Sequence, residues 1–163
     1  MNASIRKATM ADYDALCSVL DEGDAHHRQA LPHIFRAPDG PARSREYLAS
    51  IIDNPYACIF VAEQGQQIIG AVHVLLRETR DIPILIPRRF AVIENLIVCA
   101  KHRRTGVGNA LMERAHQWTL EQGVTEIELN VWEFNTGARA FYTRLGYQTI
   151  RRWMTKSLVQ RKR

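Results

Sequence analysis

The chain has 163 residues, 46% of them hydrophobic, a length at which one compact core buries roughly 70% of the surface the unfolded chain exposes. Its 22 Lys and Arg against 17 Asp and Glu give a net charge of +5, but the excess sits in Arg151, Arg152, Lys156, Arg161, Lys162 and Arg163, so the body is near neutral and no nucleic-acid-binding stripe is expected. No long apolar run stands near the N-terminus, where Arg6, Lys7, Asp12 and Asp14 lie, and Cys17, Cys58 and Cys99 are too scattered for a disulfide framework or a zinc site, so a cytoplasmic chain with no membrane partner and no metal is expected.

In chain order, Ser4 to Lys7 predicts a short strand. Thr9 predicts an N-cap with Asp12 as the capping-box acid, opening a helix whose apolar face is Tyr13, Leu16, Cys17 and Leu20. The polar stretch from Asp21 to Pro41, with Pro32, Pro38 and Gly40, predicts a short helix and then an irregular loop. A helix from Arg43 to Ile52 stops at Asn54-Pro55. Ala57 to Glu63 and Gln67 to Leu76 form a predicted hairpin, and Ile82 to Pro87, framed by prolines, suits a loop or edge ribbon. Phe90 to Val98 resumes a buried strand. From Gly106 to Gln122, Val107, Leu111, Ala115 and Trp118 recur at helical spacing, with Gly123 as the stop. Glu126 to Trp132 alternates as a strand, Asn135 to Leu145 reads as a helix closed by Gly146, and Tyr147 to Lys156 as a last strand. This order describes one α/β (α+β) domain over residues 1–163, with a mixed, mostly antiparallel sheet of six to seven strands and helices on both faces.

The chemistry concentrates where the strand ending at Val98 passes through Lys101-His102-Arg103-Arg104-Thr105-Gly106-Val107-Gly108 into the long helix. First-turn amides of a helix have no intrahelical partner and carry the positive end of its dipole, so this junction suits a phosphate. Gly106 and Gly108 clear side chains from the backbone, while Lys101, Arg103 and Arg104 add positive charge. Leu111 stands where a dinucleotide fingerprint needs its third glycine, and no Gly-Lys-Ser/Thr follows, so nucleotide loops of those kinds are disfavoured.

Glu94-Asn95-Leu96-Ile97-Val98 followed by Arg103-x-x-Gly106-x-Gly108 resembles the acetyl-CoA signature of the GCN5-related N-acetyltransferase (GNAT) superfamily. Asn135-x-x-Ala138-x-x-Phe141-Tyr142-x-x-x-Gly146-Tyr147 resembles its second motif, and Gly70 early in the third strand is also typical. The resemblance implies the GNAT fold and transfer of acetyl from acetyl-CoA to a primary amine of a small molecule or protein. It implies that Leu96, Ile97 and Val98 pair with the pantetheine arm where the fourth and fifth strands splay. Arg103, Arg104, Thr105, Gly106, Val107, Gly108 and Asn109 would hold the pyrophosphate, and Asn135 the cofactor arm. Tyr142 would be the general acid, and Glu94 a base or acceptor ligand. A homodimer is common in similar proteins.

An alkyl amine with a pKa of about 10.4 must lose a proton before it attacks, which asks for a base; a thiolate with a pKa of about 8.5 leaves readily, so an acid at Tyr142 helps modestly. The plainer readings are a core aromatic for Tyr142, a salt bridge to Arg88 or Arg89 for Glu94, and an N-cap for Asn135. On the acceptor side, Asp21, Glu22 and Asp24 beside His26 and His27, then Pro32 and Phe35, resemble a stretch bordering the acceptor mouth in some members. Glu22, His27, Phe35 and Glu94 are therefore the expected substrate contacts, selecting a cationic amine. The rival functions are a non-catalytic CoA-binding sensor and, through the basic tail, a nucleic-acid module.

Overall fold

A computed structural model describes residues 3–158. Its first strand, β1 (Ser4–Lys7), runs into a 3-10 turn at Met10–Asp12 and then α1 (Tyr13–Ala30). The Asp12 carboxylate accepts the Thr9 amide at 2.8 Å, which is the acidic half of the expected capping box. The same carboxylate takes two bonds from the Arg6 guanidinium at 2.8 and 2.9 Å, and Arg6 also reaches Glu63. Arg6 holds the Asp12 carboxyl below the usual carboxylate range.

α1 runs on to Ala30 where the sequence predicted a break near Asp21. The polar residues that suggested a loop are compatible with a helix whose outer side is solvated and ion-paired, as Arg28 pairs with Asp21 at 3.2 Å. The irregular loop begins at Leu31, before Pro32. Ser44 caps α2 (Arg45–Ile52) by accepting the Tyr47 amide.

β2 (Ala57–Gln64), β3 (Gln67–Glu78) and β4 (Arg89–Val98) follow, then α3 (Val107–Glu121) and β5 (Ile127–Leu129). The sheet order is β1-β2-β3-β4-β5. The first three pairings are antiparallel and β4–β5 is parallel. Successive strand residues face opposite sides, so Ile59, Val61 and Ala71 pack under α1 and α2 with Leu16, Leu20, Leu48 and Ile51, while Phe60 turns to the other face, where Arg114 of α3 lies 4.5 Å over its ring. Helices on both faces match the expectation. Between β3 and β4, residues Ile82–Pro87 form the predicted loop, closed by the Thr79 amide donating to the Arg88 carbonyl at 2.9 Å.

Two details of the sheet position the site. Gly70 lies where an added Cβ would stand 2.9 Å from the Ile97 carbonyl oxygen and 3.2 Å from Leu111, so only glycine lets β3, β4 and α3 meet there. In the β3–β4 ladder, Asn95 pairs with His73 and Ile93 with Val74, leaving Glu94 as an extra residue in β4. That β-bulge reverses which residues face each side beyond it.

By its internal contacts the chain divides into two compact units, Met1–Asn130 and Val131–Arg163. In the second, Asn135 accepts the Ala138 amide at 3.1 Å and caps α4 (Thr136–Arg144). The strand expected over Tyr147 to Lys156 is not formed, so the sheet has five strands among the described residues, not six to seven. A strand exists through a paired neighbour rather than through propensity, and here Ile150, Trp153 and Met154 are exposed at 74%, 92% and 87%. Arg161, Lys162 and Arg163 of the basic tail lie outside the described residues. No described helix is long and apolar enough to cross a membrane.

Candidate functional site

β4 and β5 pair only at Ala91–Ile127, Val92–Glu128 and Ile93–Leu129. β4 continues to Val98 while β5 ends at Leu129, so beyond Ile93 one edge of β4 has no strand beside it among the described residues. A strand edge of this kind offers backbone donors and acceptors to an extended ligand. Leu96, Ile97 and Val98 lie on it.

The chain leaves β4 through a 3-10 turn at Ala100–His102, whose first amide, that of Ala100, donates to Glu22 Oε1 at 2.6 Å. Arg103 Nε donates to the Val98 carbonyl at 3.0 Å, and the Thr105 hydroxyl to the His102 carbonyl at 2.6 Å. Arg104 and Gly106 both have left-handed backbones, with φ of 64° and 91°. A Cβ at Gly106 would meet nothing within 4 Å, so glycine is required there by conformation and not by crowding. No side chain caps the start of α3. The amides of Val107, Gly108 and Asn109 therefore keep the anion-binding character of a helix N-terminus, and Arg103, Arg104 and Thr105 are exposed beside them. These residues fit a diphosphate, and the β4 edge fits an extended arm.

Glu94, at the bulge, pairs with Arg77 at 2.6 Å, its side chain 34% exposed. The salt-bridge alternative named the wrong partner, because Arg88 is taken by Glu126 and Glu128 and Arg89 lies over the Tyr56 ring. Arg77 stands on the neighbouring strand, three residues along from Val74 beside the bulge, and its long side chain spans the offset.

On the acceptor side, Glu22 caps Ala100 and lies 3.7 Å from Arg103. Asp24 pairs with Arg43. The acidic cluster of α1 is thus offset by cations, a feature that sequence counting missed. His27 Nδ1 is 3.0 Å from the Gly23 carbonyl, and its ring stands 5.4 Å from that of Phe35, so these two predicted residues are brought together.

In the second unit, Tyr142 stands between Phe141 and Tyr147, with ring centroids 5.3 and 5.7 Å away. Burial pushes its hydroxyl up to about 12, so the proton is held firmly at neutral pH. Asn135 uses its carbonyl oxygen as the α4 cap, which leaves its amide NH₂ as a donor.

Sequence reasoning did not single out the cavity under α1 and α2. It measures about 50 Å³ and has His73, Asn95, Arg43 and Tyr47 among apolar walls. His73 is 8% exposed and its Nε2 is buried with no hydrogen-bond partner among the described residues. Burial lowers its pKa, against the attraction of Glu94. The available signal was one imidazole inside the apolar run Ile68 to Leu76. No group of three or more His, Cys, Asp or Glu that could hold a metal occurs among the described residues.

The match to the Acetyltransferase (GNAT) family covers residues 26–147. N-acetyltransferase family 8 member 3 of Rattus norvegicus is 34% identical over 104 residues, which span 64% of this chain and 42% of that protein. The chain thus spans less than half the length of this curated relative and of similar ones. Among solved structures, a mutant of the BH1408 protein from Bacillus halodurans has a TM-score of 0.90 at 25% identity, covering 96% of this chain and 99% of that one. The aminoglycoside 6'-N-acetyltransferase AAC(6')-IG of Acinetobacter haemolyticus has a TM-score of 0.74 at 18% identity, covering 97% and 99%, a likeness of fold. With the family match extending over both motifs and the fold agreeing with these structures, the chain belongs to the Acetyltransferase (GNAT) family.

Proposed function

We propose that this chain transfers an acetyl group from acetyl-CoA to a primary amine of a small molecule or protein. The observation that carries the reading is the juxtaposition, over a few residues, of an open β4 edge past Ile93 and an uncapped α3 N-terminus behind a left-handed Gly106. Leu96, Ile97 and Val98 would hold the pantetheine arm by backbone. Arg103, Arg104, Thr105, Gly106, Val107, Gly108 and Asn109 would hold the diphosphate, and Asn135 the arm through its free amide. Acetyl-CoA supplies an activated thioester when bound.

Glu94 would take one proton from the acceptor ammonium, directly or through water, so that the nitrogen lone pair could bond to the acetyl carbon as the carbon–sulfur bond breaks, and the second nitrogen proton would pass to water. Arg77 fixes the carboxylate that does this. Tyr142, which holds its proton at the hydroxyl, would give it to the departing sulfur and regain one from solvent; with that hydroxyl near 12, its contribution is the smaller one. The family match extends across the boundary between the two units, which supports reading them as one domain.

Three free cysteines and an acetyl-CoA donor fit a reducing cytoplasm. A homodimer is the expected assembly, checked by light scattering. The activity is tested by incubating the purified chain with acetyl-CoA and a panel of primary amines while recording free thiol. Acetylation of at least one amine is expected, and reversal of charge at Arg104 is expected to weaken CoA binding. Tight CoA binding with no amine acetylated, and no effect of Tyr142→Phe, is the outcome of a sensor. An Arg104 variant with an unaltered dissociation constant removes that loop from the site.

A further inference from the structure

The cavity beneath α1 and α2 holds a contradiction that a ligand resolves. Its walls are largely aliphatic, with Leu16, Leu48 and Ile51 buried to 9% exposure or less. Yet one wall carries an imidazole whose Nε2 is buried and has no hydrogen-bond partner among the described residues. A buried polar atom left unpaired is costly, and a leucine or phenylalanine of similar size would fill the place without that cost. Asn95 stands directly across the ladder from His73 and lines the same cavity, bringing a second group that both donates and accepts.

The cavity and the open strand edge share β4. Asn95 follows the bulged Glu94, and Ile97, another wall residue, lies in the stretch whose backbone edge is open. A volume of about 50 Å³ admits the end of a molecule, a few heavy atoms, rather than a whole sugar ring. Arg43 on the wall is already ion-paired with Asp24, and burial keeps His73 neutral. No free carboxylate lines the cavity among the described residues, so a buried ammonium would go unpaired, whereas a neutral hydrogen-bonding tip gives Nε2 a partner.

We propose that His73 and Asn95 are the specificity-determining pair of an acceptor pocket that takes the uncharged, hydrogen-bonding tail of the amine substrate. This rests on the acetyl-transfer reading and deepens it from a primary amine to an amine ending in a hydroxyl or carboxamide. A site built to bond such a group discriminates against the analogue lacking it more strongly than an apolar pocket discriminates by size.

The test uses the full chain and two matched amines, 3-aminopropan-1-ol and n-butylamine. The first readout is binding: the imidazole ¹⁵N resonances of His73, assigned by their loss in His73→Gln, are followed while each amine is titrated. The aminoalcohol is expected to shift them and butylamine to leave them in place. The second readout is thiol release with acetyl-CoA. The wild type is expected to favour the aminoalcohol about tenfold in kcat/KM, mainly through KM. His73→Leu is expected to bring that ratio close to one with the KM for acetyl-CoA unchanged. If His73→Leu fails to fold, Asn95→Ala gives the same reading, while His73→Gln retains part of the preference.

Resonances indifferent to both amines, meaning a trapped water only, together with an unchanged ratio in His73→Leu or Asn95→Ala, overturn the pocket while leaving acetyl transfer in place. A resonance response with no thiol release from any amine supports the pocket and overturns acetyl transfer.

Discussion

The β4–α3 junction and the cavity lined by His73 draw on the same strand but are made of different material. The junction is built from backbone: an open strand edge, uncapped amides and a left-handed glycine. The cavity is built from side chains of α1, α2, β2, β3 and β4, with Arg43 from the preceding loop. Backbone features do not depend on which side chains are present, which suits them to the diphosphate and arm proposed for the junction. Side-chain features can be exchanged one at a time, which suits the cavity to the selective role proposed for it.

The comparison breaks most visibly if chemistry does not separate from cofactor grip. Glu94→Gln is expected to lower kcat by about a hundredfold below the pH optimum, with the acetyl-CoA dissociation constant unmoved in calorimetry. Superimposed pH–rate curves for the two proteins would remove Glu94 as the base. Next in size, Gly70→Ala places a methyl against the Ile97 carbonyl and Leu111 and is expected to cost about 1–3 kcal/mol in urea unfolding. It disturbs junction and cavity together, since Ile97 belongs to both.

Gly106→Val sharpens the contrast. It forces a β-branched residue to φ of 91°, a conformation that costs an L-residue roughly 1–2 kcal/mol. If bound cofactor requires that conformation, acetyl-CoA affinity falls by about tenfold, while the choice between amines is retained. Smallest, Tyr142→Phe is expected to lower kcat by less than about tenfold, the lower part of the range for acid assistance. The hydroxyl is protonated below its pKa, and burial has moved that pKa to about 12. The contribution of Tyr142 therefore persists through pH 10, where an ordinary tyrosine is half ionised, and is lost only above it. A difference between wild type and Tyr142→Phe that vanishes near pH 10 would contradict that placement.

What could be read from the residues follows the same division. β1, α2, β2, β3, β4, α3 and α4 fall close to their predicted spans because period and punctuation are local, and Gly106 announces its own conformation. The continuation of α1 to Ala30 is hidden in the sequence because part of its support comes from ion pairs with residues distant in the chain, such as Asp24 with Arg43. The strand expected from Tyr147 to Lys156 had propensity but no ladder among the described residues. The partner of Glu94 was mistaken because Arg77 is distant in sequence and adjacent only through strand pairing. His73 was invisible as a site because its isolation is a property of walls contributed by several elements.

The unpaired residue in β4 has a consequence for how this strand tolerates change. Glu94 occupies a ladder position without a partner, so its identity is little constrained by packing, but its presence sets the frame for everything after it. Deleting one residue there would turn Asn95 and Ile97 over to the α3 side and Leu96 to the opposite one. Replacement at this position retunes chemistry, whereas loss of the position inverts the surface against which both substrates would lie.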